Sequence, residues 1–423
     1  MILIQNARVM DPKTKLDKIT DILIRDDVIE EMGIIPVKED VEILDAKGMI
    51  VAPGLIDVHV HFRDPGQTHK EDLITGSQSA MAGGFTTVVC MANTMPKVDT
   101  VDTLKDVVSR TKELPIHVLQ ASAVTKSFAG RELVDMEAMK EAGAVGFTDD
   151  GIPIMNAGIL VKAMEEAKRL NMPISLHEED PSLVIKPGVN AGKVAEELNF
   201  GGAPAVAEDS MVARDCMLAL ATGATVDIQH ISSKNAVEMV RHAKAMGAKV
   251  VAEASPHHFT LTEDAVKTYG VMCKMNPPVR TEEDRQAIIR GLQDGTLEII
   301  ATDHAPHSTE EKEKGLENAP SGIIGLETAL SLGITSLVKE GHLTMMELLE
   351  KMTINPAKLY HLDAGYVAVG GKADLVIFDE NEVYTVGEQF ASKSKNTPFI
   401  GWELTGKVKY TICNGKIVYS DRK

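Results

Sequence analysis

Cysteine is scarce in this chain of 423 residues, and the four that occur, Cys90, Cys216, Cys273 and Cys413, stand far apart with no C-x-x-C pair. That spacing excludes a disulfide framework and a thiolate zinc cage, and it points to a reducing, cytoplasmic setting. No apolar run reaches the roughly 18 residues of a membrane-spanning helix. The start, Met1-Ile2-Leu3-Ile4-Gln5-Asn6-Ala7-Arg8, lacks the basic opening and the apolar stretch of about 7 to 15 residues that mark an export signal. Positive charge is also in deficit: 44 Lys and Arg against 62 Asp and Glu give a net charge of -18. Such a chain is not drawn to nucleic acid or anionic lipid, so neither is expected as a partner, and an anionic ligand needs local arginine or metal.

The rest of the composition is that of a soluble globular protein, with 44% hydrophobic and 25% charged residues, and the 21 methionines read as core filling. The length suits one large barrel plus a smaller module. Residues 1 to 51 hold short β-type runs (Ile2 to Ile4, Asp21 to Ile24, Val28 to Met32, Val41 to Leu44) between Asp, Lys, Gly and Pro turns, and predict a small antiparallel sheet. The end, 363–423, has the same texture, with Asn414-Gly415 as a hairpin turn between alternating runs. Two such ends flanking a different middle predict one split β-sandwich module made by both termini.

Between them, from 52 to 362, strand-like runs end at His61, Asn93, Ala121, Asp150, His177, His230, Glu253 and Asp303. Amphipathic stretches such as Glu132 to Ala142, Ile159 to Leu170, Ala205 to Ala221 and Asn235 to Met246 separate them and are long enough for crossover helices. Eight β-α units predict an α/β fold, a (β/α)8 TIM barrel.

The strand ends carry chemistry. His59 and His61, two apart on an extended strand, face the same side and can grip one ion, although an isolated His-x-His is as readily an ordinary strand pair. With Asp150, His177, His230 and Asp303, six groups of ligand type fall on five strand ends, at the rim where barrel enzymes build their sites. Six exceed one tetrahedral zinc, whereas two ions sharing a carboxylate use the set. Asp149 is as good a bridge as Asp150 on strand alternation alone. Arg63 can fork onto a substrate carboxylate or pair with Asp64 or Glu71 on the rim.

Asp57-Val58-His59-Val60-His61-Phe62-Arg63-Asp64-Pro65-Gly66 and Ala301-Thr302-Asp303-His304-Ala305-Pro306-His307-Ser308-Thr309-Glu310-Glu311-Lys312 closely resemble the two signature stretches of the dihydroorotases, of the amidohydrolase superfamily. The likeness runs over essentially the whole chain. Related dihydropyrimidinases, hydantoinases and allantoinases typically carry a carboxylated lysine on strand 4; this chain has Gly146-Phe147-Thr148-Asp149-Asp150-Gly151, as in the bacterial class I type whose bridge is aspartate. The resemblance implies reversible, zinc-dependent interconversion of N-carbamoyl-L-aspartate and (S)-dihydroorotate, the third step of pyrimidine synthesis. It implies two Zn²⁺ per subunit, one held by His59, His61 and Asp303, the other by His177 and His230, with Asp150 touching both. Asp303 would be the catalytic base and then acid. For the substrate it implies His61, Arg63, Asn93, Asn276, His307 and backbone around Ser321 and Gly322. Family members often carry an aromatic residue where Ser321 stands, so ring packing over the substrate is not expected here.

Asn276, ahead of two prolines, also reads as a turn residue. The charged stretch from His304 to Gly322 reads as a solvated loop or a lid. His257, His258 and His304 are ordinary rim histidines or supports for ligands, and His69, His117, His242, His342 and His361 are surface or core residues. A homodimer is expected, and aspartate transcarbamoylase is a candidate associate. The competing functions are another cyclic amidase and a non-catalytic dihydroorotase-like partner of aspartate transcarbamoylase; the latter relatives have lost metal ligands, which this chain retains.

Overall fold

The computed structural model describes residues 1–37 and 40–421; the last two residues of the expected terminal segment, 422–423, lie outside the described residues. Its strands are β1 (Ile2–Asp11), β2 (Leu16–Arg25), β3 (Val28–Gly33), β4 (Glu42–Asp45), β5 (Ile50–Pro53), β6 (Leu55–Val60), β7 (Phe85–Cys90), β8 (His117–Gln120), β9 (Ile174–Leu176), β10 (Val226–Ile228), β11 (Val250–Ala254), β12 (Ile299–Ile300), β13 (Leu375–Thr385), β14 (Glu403–Cys413) and β15 (Lys416–Ser420).

The first five and last three strands make one sheet in the order β15-β14-β13-β5-β1-β2-β3, with β4 also beside β1. The two ends of the chain meet where β13 runs antiparallel to β5, Leu375 opposite Pro53 and Phe378 opposite Ile50. The pairing is mixed rather than antiparallel throughout, because the chain returns to the starting end of β1 and lays β4 and β5 parallel to it. Ile4, Ile22, Ile24, Leu375, Ile377 and Ile412 pack into one buried apolar layer on this sheet. Asn414 and Gly415 turn β14 into β15 with both φ angles positive, 49° and 68°. Left-handed geometry at both positions matches the twist of a two-residue hairpin. A Cβ at Gly415 would sit 1.7 Å from the Asp26 carbonyl oxygen.

In the middle of the chain, β6-β7-β8 and β12-β11-β10-β9 are two parallel sheets. Single-residue bridges join them: Phe147 pairs with Ser122 on one side and Ile174 on the other, and His304 pairs with Val60. The ring of strands thereby closes. The expected fourth strand, Ala144–Asp150, is reduced to this one doubly paired residue. Local bonds take the place of the ladder there: the Asp149 carboxylate accepts the amides of Val124 and Thr125 at 2.8 and 3.1 Å, and Thr148 Oγ1 accepts the amide of Asp150 at 3.0 Å.

The crossover helices lie close to the expected stretches, at Ala157–Arg169, Ala205–Thr222 and Lys234–Ala245. The first is shorter, Met136–Glu141, because Asp135 caps it by accepting the Ala138 amide and Val134 is tied to Val124.

Arg280, 4% exposed, clamps the region beside the rim. Its Nη2 donates to Glu208 at 3.1 Å, its Nε to Ser232 Oγ at 2.8 Å, and its Nη1 to Asn190 Oδ1 at 2.8 Å. Removing it strands the buried Glu208 charge, so Arg280→Ala should cost roughly 3–5 kcal/mol, read as a lower urea midpoint at unchanged slope. Exposed Arg169→Ala should leave the midpoint nearly unmoved.

Candidate metal centre

The centre is built by the strand ends. His59 and His61 lie on and just past β6, His177 follows β9, His230 follows β10 and Asp303 follows β12. Asp150 enters from the turn after Phe147. Arg63, His230 and Asp303 hold positive φ angles of 58°, 32° and 50°. Such left-handed backbone costs non-glycine residues on the order of 1 kcal/mol or more, and here it aims three side chains into the mouth of the barrel.

Two triads form, His59-His61-Asp150 and Asp150-His177-His230, each with ligand atoms within 4.8 Å of one another, and Asp150 belongs to both. Its Oδ1 lies 3.4 Å from His59 Nε2 and 3.9 Å from both His177 Nδ1 and His230 Nε2, and its Oδ2 is 3.5 Å from His61 Nε2. Asp303 Oδ1 is 3.0 Å from His61 Nε2 and 3.6 Å from His59 Nε2. The neighbouring aspartates differ in their partners: Asp149 turns away to Val124 and Thr125, and Asp150 belongs to both triads.

Tautomers follow from the outer hydrogen bonds. His59 Nδ1–H donates to Glu253 Oε2 at 3.1 Å, and His61 Nδ1–H donates to Asn93 Oδ1 at 2.9 Å, whose own amide NH₂ donates to Asp150 Oδ2 at 3.0 Å. Both Nε2 atoms then present lone pairs toward carboxylate oxygens. Facing acceptors need a cation between them, and His59 Nε2 is buried without a hydrogen-bond partner. The donors are all imidazole nitrogen and carboxylate oxygen, a set that suits a divalent ion such as zinc. The residues fit two ions sharing Asp150.

The electrostatics agree. Burial alone would raise the Asp150 carboxyl, yet His59, His61 and His177 hold it well below the usual carboxylate range. Burial opposes charge on His59, but Asp150 and Glu253 outweigh it and lift its affinity for a proton well above the ordinary value. Burial, then His177 and His59, keeps His230 neutral. The centre calls for positive charge, which a bound divalent ion would supply.

A cavity of about 170 Å³ opens over these groups. His61, Arg63, Asn93, Asp150, His177, His230, Asn276, Asp303, His307, Ser321 and Gly322 line it; His59 alone of the expected set lies beneath its floor. Arg63 Nε donates to the Pro306 carbonyl at 3.2 Å. His307, kept neutral by burial and by Arg63, donates Nε2–H to the Ser321 carbonyl at 2.7 Å. Gly322, at φ 128°, leaves no room for a Cβ, which would fall 2.7 Å from that of Ala305. Asn93 is committed to His61 and Asp150, whereas Asn276 Oδ1 is buried without a partner.

Other expectations resolve differently. Lys312 is not solvated: it is 1% exposed, donates to the Pro320 carbonyl at 2.9 Å, and is pushed down to about 7 by burial and by Lys274. His258 donates to the Pro277 carbonyl at 3.0 Å, supporting the segment that carries Asn276 rather than a ligand. His304 Nδ1 accepts the Gly325 amide at 3.1 Å, and His69, His242 and His361 are exposed. Glu253 and Asn396 were given no role from sequence. Glu253 at least ended the seventh strand, on the same rim; Asn396, which donates to the carbonyls of Ala305 and Gly322 at 3.0 Å each, had no local signal.

The amidohydrolase family model matches residues 50–418, and the chain belongs to that family. A protein of Clostridioides difficile (strain 630) named dihydroorotase is 61% identical, covering 99% of this chain and all of that one. Dihydroorotases of Clostridium acetobutylicum and Lactococcus lactis subsp. lactis are each 54% identical over 99% or more of both chains. Among solved structures, an L-hydantoinase (dihydropyrimidinase) from Arthrobacter aurescens superposes with a TM-score of 0.87 at 25% identity, covering 100% of this chain and 96% of that one. A D-hydantoinase (dihydropyrimidinase) from Thermus sp. gives 0.86 at 25% identity, with the same coverage.

Because Glu253 fixes the tautomer and tilt of His59, Glu253→Gln should weaken divalent-metal affinity by about 10- to 100-fold, measured by competition with a chelating dye. Retention of wild-type affinity would show that His59 is oriented by the backbone alone.

Proposed function

We propose that the chain is an active dihydroorotase that converts (S)-dihydroorotate and water to N-carbamoyl-L-aspartate and back, with two zinc ions per subunit held by His59, His61, Asp150, His177, His230 and Asp303. The observation that carries the reading is Asp150 shared by two ligand triads. The related cyclic amidases typically place a lysine there, and Arg63 lies beside the triads in the same pocket. When bound, the divalent ions supply Lewis acidity, which makes a water acidic near neutral pH and polarises an amide carbonyl.

The side chains do the rest. Arg63, anchored through Nε and with one terminal nitrogen 3.4 Å from His307 Nε2, lines the pocket and can fork onto the substrate carboxylate. Asn276 Oδ1, buried and unpaired, can accept a ring N–H. The Ser321 carbonyl and the Gly322 amide are already paired, with His307 and the Lys274 carbonyl, so they shape the wall. Asp303 takes the proton of the attacking water on a carboxylate oxygen and delivers it to the departing amide nitrogen. In ring closure the same residue runs the transfer backwards.

Among the described residues no helix is long and apolar enough to cross a membrane. Four buried, unbridged cysteines suit the cytoplasm that we propose. A homodimer, and association with aspartate transcarbamoylase, are the assemblies to seek by sizing the chain alone and in mixture.

Zinc-loaded protein should consume dihydroorotate in an absorbance assay; fast turnover of hydantoin or allantoin with none of dihydroorotate would replace this reading with that of another cyclic amidase. Asp303→Asn should lower kcat by about 10²- to 10⁴-fold with circular dichroism unchanged and metal retained. Arg63→Met should act mainly on KM, and an unchanged KM would remove Arg63 from carboxylate binding.

A further inference from the structure

The face of the barrel opposite the catalytic rim carries a second group of ligand type. His117 opens β8, Asp374 directly precedes β13 and Cys413 ends β14, and their ligand atoms lie within 4.8 Å of one another. We propose that His117, Asp374 and Cys413 form a further binding site for a borderline divalent transition metal, zinc or cobalt, which pins the terminal sheet to the floor of the barrel.

The three donors come from both halves of the architecture. His117 Nε2 is 2.9 Å from Asp374 Oδ2, a separation that one ion coordinated by both can hold. Asp374 is a prepared anion. Burial would raise its carboxyl, but His117 and the Asn414 amide, which donates to Oδ1 at 2.7 Å, hold it below the ordinary range. Its own carbonyl accepts the Gly54 amide at 2.8 Å, so its backbone is fixed at the junction between the sheet and β6. Cys413 is 1% exposed, and its Sγ lies against the Asp374 carboxylate and 3.8 Å from the Thr86 carbonyl on β7. Burial and Asp374 keep that thiol protonated while no cation is present. A divalent ion inverts this preference, because a coordinating thiol loses its proton. Binding would therefore release the Cys413 proton to solvent and replace the His117–Asp374 hydrogen bond with two bonds to metal.

Nitrogen, oxygen and sulfur together select zinc or cobalt over magnesium or calcium. Three protein ligands leave a fourth position for water. A cavity of about 270 Å³, with Asn414, Lys112 and Gln120 on its wall, reaches His117 and gives an approach to the group from that side. Unlike the catalytic centre, this group contains sulfur, and among the described residues no other candidate ligand cluster does.

That difference makes the test specific. The full chain loaded with cobalt(II) should show near-ultraviolet sulfur-to-cobalt charge-transfer absorption, which a centre of histidine and aspartate cannot produce. Cys413→Ser should abolish it and lower metal content by one equivalent per chain. His117→Asn, at a half-buried position whose loss does not open the core, should do the same with dihydroorotate turnover unchanged; it decides the matter should Cys413→Ser fail to fold. Absence of the absorption in the wild type, or its survival in His117→Asn, would overturn the proposal and leave a hydrogen-bonded cluster.

Discussion

Closure of the strand ring through single residues is the constraint on which the site depends. A parallel barrel satisfies its backbone only when the last strand finds the first. Here the joints on both sides of Phe147 and the one at His304 are each one residue wide. A longer ladder at any of these joints would lock the next residues into extended geometry and alternate them across the wall. The narrow joint instead lets the chain turn at once. Asp150 swings to the centre while Asp149 is held outside, and Asp303, immediately before His304, takes up its left-handed backbone. The two carboxylates thus come from the places where regular sheet is thinnest.

Around that centre the protein buries a chain of acidic and hydroxyl groups. Glu253 lies behind His59, and Asp227 lies close behind Glu253, where burial and Glu253 keep it well above the usual carboxylate range. Ser175 donates to Asp227 at 2.9 Å, and the Tyr360 hydroxyl lies 3.2 Å from Ser175. This polar column runs from His59 into the barrel interior, so the position of His59 is set by groups on several strands. Such a column is costly to bury unless something positive completes it.

Much of this was legible in the residues. The alternation of apolar runs and amphipathic stretches located the strand positions of the ring, because their period and length are local properties. The candidate ligand set was legible because ligand-type residues repeatedly end strands. The bridge was not: Asp149 and Asp150 differ only in which hydrogen bonds each finds, and those partners, Val124 and Thr125, lie a strand away. The reduction of the fourth strand to Phe147 likewise depends on side chains competing with the ladder. Lys312 looked like part of a solvated run, yet its ammonium is buried against the Pro320 carbonyl, a contact no charge count anticipates. Mixed pairing in the terminal sheet was hidden for a similar reason, since strand direction is set by where the chain returns.

Asn396 bears on how the molecule is made. It belongs to the segment between β13 and β14, and its single amide holds the carbonyls of Ala305 and Gly322 while its oxygen accepts the His307 amide. One wall of the pocket therefore waits for a residue that a ribosome adds long after the ring of strands has been synthesised. A nascent chain can hold every candidate ligand side chain and still lack the finished cavity, so the pocket is completed late in translation, with the return of the terminal sheet.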